Sequence, residues 1–360
     1  MNYEVKIKKL PKSEVEMEVS LPADFLVSAR KKAVDIFSNS LDISGFRKGH
    51  IPENIVVGKV GEGEILEEAS DILLKEHFPK IIEQEKLDII GRPKISITKL
   101  APSNPVEFKA VFAVMPEFEL PEYKKIANEV RSTSDEEREK KEETEVSKKE
   151  IDDVLLQIRK NKAHVDWHQK NADHNDHNHP ELDLEKEENL PALDDELAKL
   201  AGNFKNLDEL KEKVKQNIID EKKFRNIEKG RAAIMEELVK NTKIDLPEIL
   251  IESEIEKSLA QMKDDVERMG AKFADYLTQA KKTEEDLKKD LRDSSEKKAK
   301  IQLIFNKIAE AEKLEPNKEI LENEVKEVLK HYPNASEINA RIYVGTILLN
   351  SEVLKLLENS

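Results

Sequence analysis

Apolar residues recur at spacings of three and four through most of the second half of this 360-residue chain. The clearest run consists of Ile251, Ile255, Leu259, Met262, Val266 and Met269. Because an α-helix has 3.6 residues per turn, such a run forms one apolar face that can be buried against neighbouring helices. Prolines are expected to separate successive helices, at Pro247, Pro316 and Pro333. From residue 191 to 360 the pattern therefore predicts ordinary packed helices rather than a sustained coiled coil.

Residues 1–120 show a different pattern, in which apolar and polar residues alternate. Four alternating stretches indicate β-strands, near residues 3–7, 15–19, 95–97 and 106–112. One helix should begin near Pro22, and a second should cover 64–85, where Pro79 is expected to kink or split it. Strands, helices and then strands predict an α+β domain with helices on one face of an antiparallel sheet.

The middle of the chain carries little apolar surface. Residues 131–150 are almost wholly charged or polar, which predicts a linker or a solvated helix. Ile151, Leu155 and Ile158 predict a short amphipathic helix, and the polar, histidine-rich stretch 161–190 predicts a flexible loop. We therefore assign three parts: an α+β domain over 1–120, a linking region over 121–190 and a helical domain over 191–360. Overall the chain is expected to be elongated and mainly helical.

Composition narrows the range of functions. The formal net charge of -15 argues against a general nucleic-acid binder, so any such contact should be local. The absence of cysteine excludes thiol chemistry and favours a cytoplasmic location. No signal peptide and no apolar run long enough to span a membrane is visible. Nor is there a phosphate-binding loop, nucleophile elbow or zinc-helix motif, so neither an enzyme nor a cofactor is predicted.

The most informative segment follows the first predicted helix. It consists of Gly45, Phe46, Arg47, Lys48, Gly49, His50, Ile51 and Pro52. Glycines permit backbone conformations that other residues avoid, and the proline can start the next helix. This predicts a tight loop whose aromatic and cationic side chains point outward, toward an RNA phosphate or an acidic protein surface. The alternative is a solvated turn whose Phe46 folds back onto its own domain.

This segment resembles the ribosome-binding signature of the trigger factor family, Gly-Phe-Arg-x-Gly-x-x-Pro. Other stretches resemble the same family, at residues 89–93, 112–118, 190–198 and 244–248. The resemblance implies a nucleotide-independent chaperone that docks beside the exit tunnel of the large ribosomal subunit, touching protein and rRNA. Its other partners would be nascent or unfolded polypeptides, and the free form would be a homodimer. The implied docking residues are Gly45, Phe46, Arg47, Lys48, Gly49, His50 and Pro52.

The chain also departs from the family pattern. Trigger factors usually carry a prolyl-isomerase domain between the two ends, but only about 30 residues separate Lys162 from Leu190 here, too few for a packed sheet domain. That stretch holds a single Trp167 and no Phe, Tyr or Gly, so an aromatic-lined proline pocket cannot be built from it. We therefore predict no isomerase activity. His50 stands where a lysine is common in the family.

Three other interpretations stay open. A ribosome-independent holdase or assembly chaperone would need apolar surface but not the loop. A true isomerase would need a domain that the sequence does not supply. A metal-binding protein could use the histidine tract, in which the weak candidates are His174, His177 and His179, with His164 and His168 upstream. Their spacing fits no structural zinc template, so no metal site is predicted.

Overall fold

The computed structural model describes residues 3–101, 104–140, 146–170, 184 and 186–360. Within these residues the chain forms two compact units. The first comprises Met1–Pro121 and Val239–Glu312, and the second comprises Glu122–Leu238 and Lys313–Ser360. The domain boundaries predicted near residues 120 and 190 stay a prediction.

The first unit is built on a four-stranded antiparallel sheet. Its strands are β1 (Glu4–Leu10), β2 (Glu14–Leu21), β3 (Ile89–Lys99) and β4 (Val106–Val114), in the order β1-β2-β4-β3. Every second residue of β2 and β4 is buried, as the alternating sequence predicts.

Three helices lie between β2 and β3, namely α1 (Ala23–Ser40), α2 (Glu53–Val60) and α3 (Glu62–Gln84). Leu26, Ala29 and Ala33 of α1 belong to the same buried cluster as Met17 and Phe108 of the sheet. The prediction of helices packed against an antiparallel sheet is therefore confirmed. Helix α3 is continuous through Pro79, so of the two expected effects, a kink or a split, the split is wrong.

The remainder of the first unit is a group of helices that follows Pro247, which begins the first of them. It contains α8 (Glu248–Arg268), α9 (Phe273–Ala280) and α10 (Glu284–Glu312). The apolar stripe of α8 packs against α10 through Ile251, Ile255, Ala299 and Leu303. Helices α8 and α10 confirm the prediction of helices in this part of the chain. Helix α9 was not predicted, because its eight residues are too few to show a period.

Polar contacts attach this helical group to the sheet. The turn between β1 and β2 contributes Lys12, whose Nζ lies 2.9 Å from Oε2 of Glu248. Ser13 Oγ in the same turn donates a 2.6 Å hydrogen bond to the carbonyl of Asp245. Glu248 also accepts two hydrogen bonds from Arg292 of α10. One carboxylate thus joins the turn, α8 and α10.

Within its described residues, the second unit contains helices joined by short connections and no β-strand. It contains α4 (Tyr123–Lys140), α5 (Lys148–Lys170), α6 (Asp195–Gly202), most of α7 (Leu207–Asn241), α11 (Lys318–His331) and α12 (Glu337–Asn359). One cluster joins α5, α6 and α7 through Leu155, Ala198, Leu210 and Val214. A second joins α11 and α12 through Val325, Ala340 and Val344. Together the units confirm the predicted fold class, an α+β part followed by a mainly helical part.

Helix α5 corrects the sequence interpretation. A flexible loop was expected over 161–190, but α5 continues to Lys170 and carries both His164 and His168. The physical reason is that Ala163 prolongs the buried face begun by Leu155, while the polar residues occupy the other sides of the helix. Residues 171–183 and 185 lie outside the described residues, and with them the loop expectation and the metal candidates His174, His177 and His179. Among the helices of the described residues, none combines the length and the hydropathy that a membrane span requires.

Candidate functional site

The predicted binding segment lies in the connection between α1 and α2, which we call the 41–52 loop. Two consecutive turns shape it. The amide of Phe46 donates to the carbonyl of Ile43 at 3.1 Å, and the amide of His50 donates to the carbonyl of Arg47 at 3.0 Å. Each turn contains a glycine with positive φ, 91° at Gly45 and 78° at Gly49. These are conformations that residues with a Cβ rarely adopt, which explains both glycines of the motif.

The base of the loop is tied to the end of α1. Ser38 accepts two hydrogen bonds, from the Gly49 amide to its carbonyl at 2.9 Å and from the Ile51 amide to its Oγ at 3.2 Å. Ser38 is buried, and Ile51 is only 6% exposed within the core of the first unit. An added Cβ at Gly49 would lie 2.5 Å from Oδ1 of Asn39. The base of the loop is therefore fixed against the end of α1, while the tip does not enter the core.

An arginine fixes the helix that leaves the loop. Arg30 of α1 donates to Glu53, the first residue of α2, at 2.5 Å. It also donates two hydrogen bonds to Glu62 of α3, from Nε at 2.6 Å and from Nη2 at 2.8 Å. The guanidinium holds the pKa of Glu62 below its usual value because it donates to the ionised carboxylate. Pro52, with φ of -58°, precedes Glu53 and suits the helix start.

The tip of the loop presents the predicted side chains to solvent. Phe46 is 41% exposed, and Arg47 and Lys48 are exposed as well. Within the described residues neither cation forms a hydrogen bond or an ion pair with the rest of the chain. Gly45, Gly49, His50 and Pro52 lie in the same short segment and are also exposed. All seven predicted residues thus lie in one exposed loop, and Phe46 is not among the residues that form the core of the first unit or pack against it.

Three residues that support the loop were not identified from the sequence. They are Arg30 and Ser38, with Asn39 beside Gly49, and all three lie on α1 rather than in the motif. One signal was available for Ser38, a small polar residue four positions after the buried Val34 and beside Phe37 of the apolar face. The partners of Arg30 lie 23 and 32 residues away, and no local pattern indicates them.

Apolar surface outside the core forms a second candidate site. In the first unit an open groove of about 770 Å³ lies among β1, the segment after β4 and α10. Its apolar lining includes Ile7, Leu10, Met115, Phe118 and Leu303. In the same unit, Met269 at the end of α8 is 80% exposed. Such surface is available to an apolar partner.

The second unit also exposes apolar side chains. Ile338, Ile342, Tyr343 and Ile347 of α12 are each between 49% and 71% exposed. They belong to the first half of the helix, whose opposite side packs on α11 through Ala340 and Val344. Large exposed apolar clusters commonly mark sites of contact with other proteins.

Among the described residues no group of three or more His, Cys, Asp or Glu side chains is arranged to hold a metal ion. His164 and His168 are neighbours on α5, with ring centroids 4.6 Å apart.

Two family models and several curated relatives match this chain. The family model described as "Bacterial trigger factor protein (TF)" matches residues 3–158, and the one described as "Bacterial trigger factor protein (TF) C-terminus" matches residues 206–345. The trigger factor of Clostridium kluyveri (strain ATCC 8527) is 24% identical and that of Clostridium botulinum (strain Okra) 26% identical. The first alignment covers 99% of this chain and 98% of the relative, and the second 99% of both.

These alignments run over 425 and 424 residues, more than this chain contains, so the relatives carry segments without a counterpart here. A solved structure from work on promiscuous substrate recognition in folding and assembly activities of the trigger factor chaperone superposes with a TM-score of 0.55. It is 18% identical and covers 99% of both chains, so the likeness concerns the fold.

Proposed function

The chain belongs to the trigger factor family of ribosome-associated chaperones, and from that membership we propose that the 41–52 loop docks it on the large ribosomal subunit beside the exit tunnel. The observation that carries the proposal is the loop tip, where Phe46, Arg47 and Lys48 are exposed together on a rigid base. In this position the helical parts would receive polypeptides as they emerge, without nucleotide and in the cytoplasm.

The chemistry of the tip suits a partner that is locally acidic. Arg47 can donate two parallel hydrogen bonds to a phosphate or a carboxylate, and Lys48 adds a point charge. Both rRNA and acidic ribosomal protein surface offer such groups. The exposed part of the Phe46 ring adds apolar burial worth on the order of 1 kcal/mol. The whole chain carries a net charge of -15, so its overall electrostatic field repels an acidic partner. Binding therefore depends on the local cationic group formed by Arg47 and Lys48.

Co-sedimentation with large ribosomal subunits tests the proposal. The variant Phe46→Ala/Arg47→Ala/Lys48→Ala should bind at least tenfold more weakly at moderate salt, because it loses two charged contacts and one apolar contact. A matched control is Val27→Ala/Lys31→Ala/Lys75→Ala, which removes one exposed apolar and two exposed cationic side chains from helices of the same unit. Unchanged affinity of the loop variant, or an equal loss in the control, would contradict docking through the loop.

The mechanism after docking is transient cover of apolar segments. We assign this contact to the groove lined by Ile7, Leu10 and Met115, and to the exposed side chains of α12. Weak and unselective apolar contact delays aggregation without holding a folding chain permanently. The same surfaces could also join two free copies, as expected for a homodimer in the absence of ribosomes.

The second candidate is a ribosome-independent holdase, favoured by the same exposed apolar surface. The two functions separate in a ribosome-free aggregation assay. There the loop variant should suppress aggregation as well as the unmodified chain does, because its apolar surfaces are intact. If the unmodified chain did not bind ribosomes but still suppressed aggregation fully, the protein would be a ribosome-independent holdase and the docking proposal would be wrong.

A further inference from the structure

We propose that the outer edge of β1 binds an extended polypeptide segment, in which two acidic residues flank an apolar one, as an added strand of the sheet. This rests on the client contact proposed above and names one class of segment for it. Strand β1 is the first in the order β1-β2-β4-β3, so β2 covers only one of its edges. Among the described residues, no backbone amide or carbonyl of residues 4–10 is bonded to any element other than β2. Such an edge presents a row of donors and acceptors to an extended chain.

The lysines of β1 determine the charge of the segment that fits. Lys6 and Lys8 lie on the sheet face away from the helices, opposite Glu18 and Glu16 of β2. Both glutamates contact Lys109 of β4 instead, at 3.0 Å for Glu16 and 3.7 Å for Glu18. Within the described part of the chain, the exposed side chains of the two β1 lysines form no hydrogen bond or ion pair. Carboxylates on the next strand outward would pair with these lysines and continue the alternation of charge across the sheet.

The residue between the two lysines faces the other side of the sheet. Ile7 lies opposite Met17 of β2 and is 40% exposed, although Met17 is fully buried. Ile7 also lines the groove of about 770 Å³, together with Leu10 and Met115. An apolar residue opposite Ile7 on an added strand would cover this exposed side chain, and its two neighbours in sequence would face the lysines. The edge therefore fits the order acidic, apolar, acidic.

A second copy of this chain fits the same edge poorly. Antiparallel pairing of two β1 strands about Ile7 would set Lys6 of each copy opposite Lys8 of the other. Like charges directly opposite each other destabilise a sheet, and lysines on edge strands commonly prevent such self-pairing. The occupant is therefore an acidic segment of a different polypeptide.

Peptide binding to the full chain at low salt, measured by fluorescence anisotropy, tests strand addition. The first labelled peptide, Thr-Val-Glu-Val-Glu-Val-Thr, places both carboxylates on one face of a strand. The second, Thr-Val-Val-Glu-Glu-Val-Thr, has the same composition but places them on opposite faces. The first should bind at least about fivefold more tightly, because only it sets both carboxylates against lysines.

Backbone methylation tests the main-chain contact. Two versions of the first peptide carry one N-methyl group each, on the central valine or on the glutamate that follows it. Successive amides of a strand point in opposite directions, so only one of the two faces β1. One methylated peptide should therefore lose binding and the other should keep it.

Variants of the chain locate the contact. Lys6→Gln/Lys8→Gln should weaken binding of the first peptide at least about fivefold, because two pairs of opposite charge across the strands are lost. The matched control Lys59→Gln/Lys75→Gln removes two exposed lysines from α2 and α3 of the same unit. It should keep the affinity within about twofold, because these lysines lie outside the sheet.

Three results would overturn strand addition: equal binding of the two unmethylated peptides, equal loss in the two lysine variants, or equal effects of the two methyl groups. If neither unmethylated peptide binds while the unmodified chain still suppresses aggregation, the added strand is wrong and the chaperone function stands. If the chain also fails to suppress aggregation, the client contact proposed above is wrong as well.

Discussion

Among single residues, Gly49 constrains the 41–52 loop most. Its φ is 78°, its amide donates to the Ser38 carbonyl, and a Cβ there would meet Asn39. Gly49→Ala should therefore destabilise the first unit by about 1–2 kcal/mol, the usual cost of a Cβ in this region of backbone space. Urea denaturation of the variant and of the unmodified chain measures this loss of stability. The same variant should bind ribosomes more weakly, because the tip would shift relative to α1.

The control for this prediction is a glycine in a helix. Gly58 lies within α2, and an added Cβ there meets nothing within 4 Å. Gly58→Ala should leave stability unchanged or raise it by about 0.5–1 kcal/mol, because alanine is the better helix former. If the two alanine variants changed stability equally, backbone strain would not explain why glycine occupies position 49.

Among elements, Glu248 joins the β1–β2 turn to α8 and α10. Hydrogen bonds from Arg292 and then from Lys12 lower its pKa to about 2. Since the folded pKa is below the ordinary value of 4.5, this stabilisation is complete above about pH 4.5 and is lost as the pH falls toward 2. Glu248→Gln should cost on the order of 1–3 kcal/mol at neutral pH, with less loss at acidic pH. Denaturant titrations at both pH values measure the difference.

A second glutamate of α8 provides the comparison. Glu256 is exposed and lies two turns further along the same helix. Glu256→Gln removes the same charge, so it should change stability by less than about 0.5 kcal/mol at either pH. Equal effects of the two substitutions would mean that net charge, rather than the three-element contact, determines acid sensitivity.

For the whole molecule, the question is what lies between the two family matches. Residues 159–205 separate them, and the described part of this segment is helical or irregular, with the end of α5, a 3₁₀ turn at Glu187–Asn189 and α6. We propose that the chain lacks prolyl-isomerase activity. It should leave the proline-limited phase of a refolding test protein at its spontaneous rate, tens of seconds or slower. An unrelated prolyl isomerase serves as the positive control, and clear acceleration by this chain would contradict the proposal.

Much of the fold follows from local sequence patterns. Alternation identified the four strands, spacings of three and four identified α8, and prolines marked the starts of α1, α2 and α8. The 45–52 motif indicated an exposed turn because two glycines and a proline restrict the backbone within a few residues. These features depend on neighbours in the chain, so the sequence alone determined them.

The tertiary structure decided which distant groups meet. Arg30 reaches Glu62, Ser38 holds Ile51, and Lys12 meets Glu248 across separations from 13 to 236 residues. Helix α5 runs past its predicted end because Ala163 stays buried, which depends on packing and not on the polar residues around it. The periodicity of apolar side chains indicates which face of a helix or strand is buried, but not which other element packs against that face. The rigid base of the loop and the joint at Glu248 were therefore beyond the reach of the sequence.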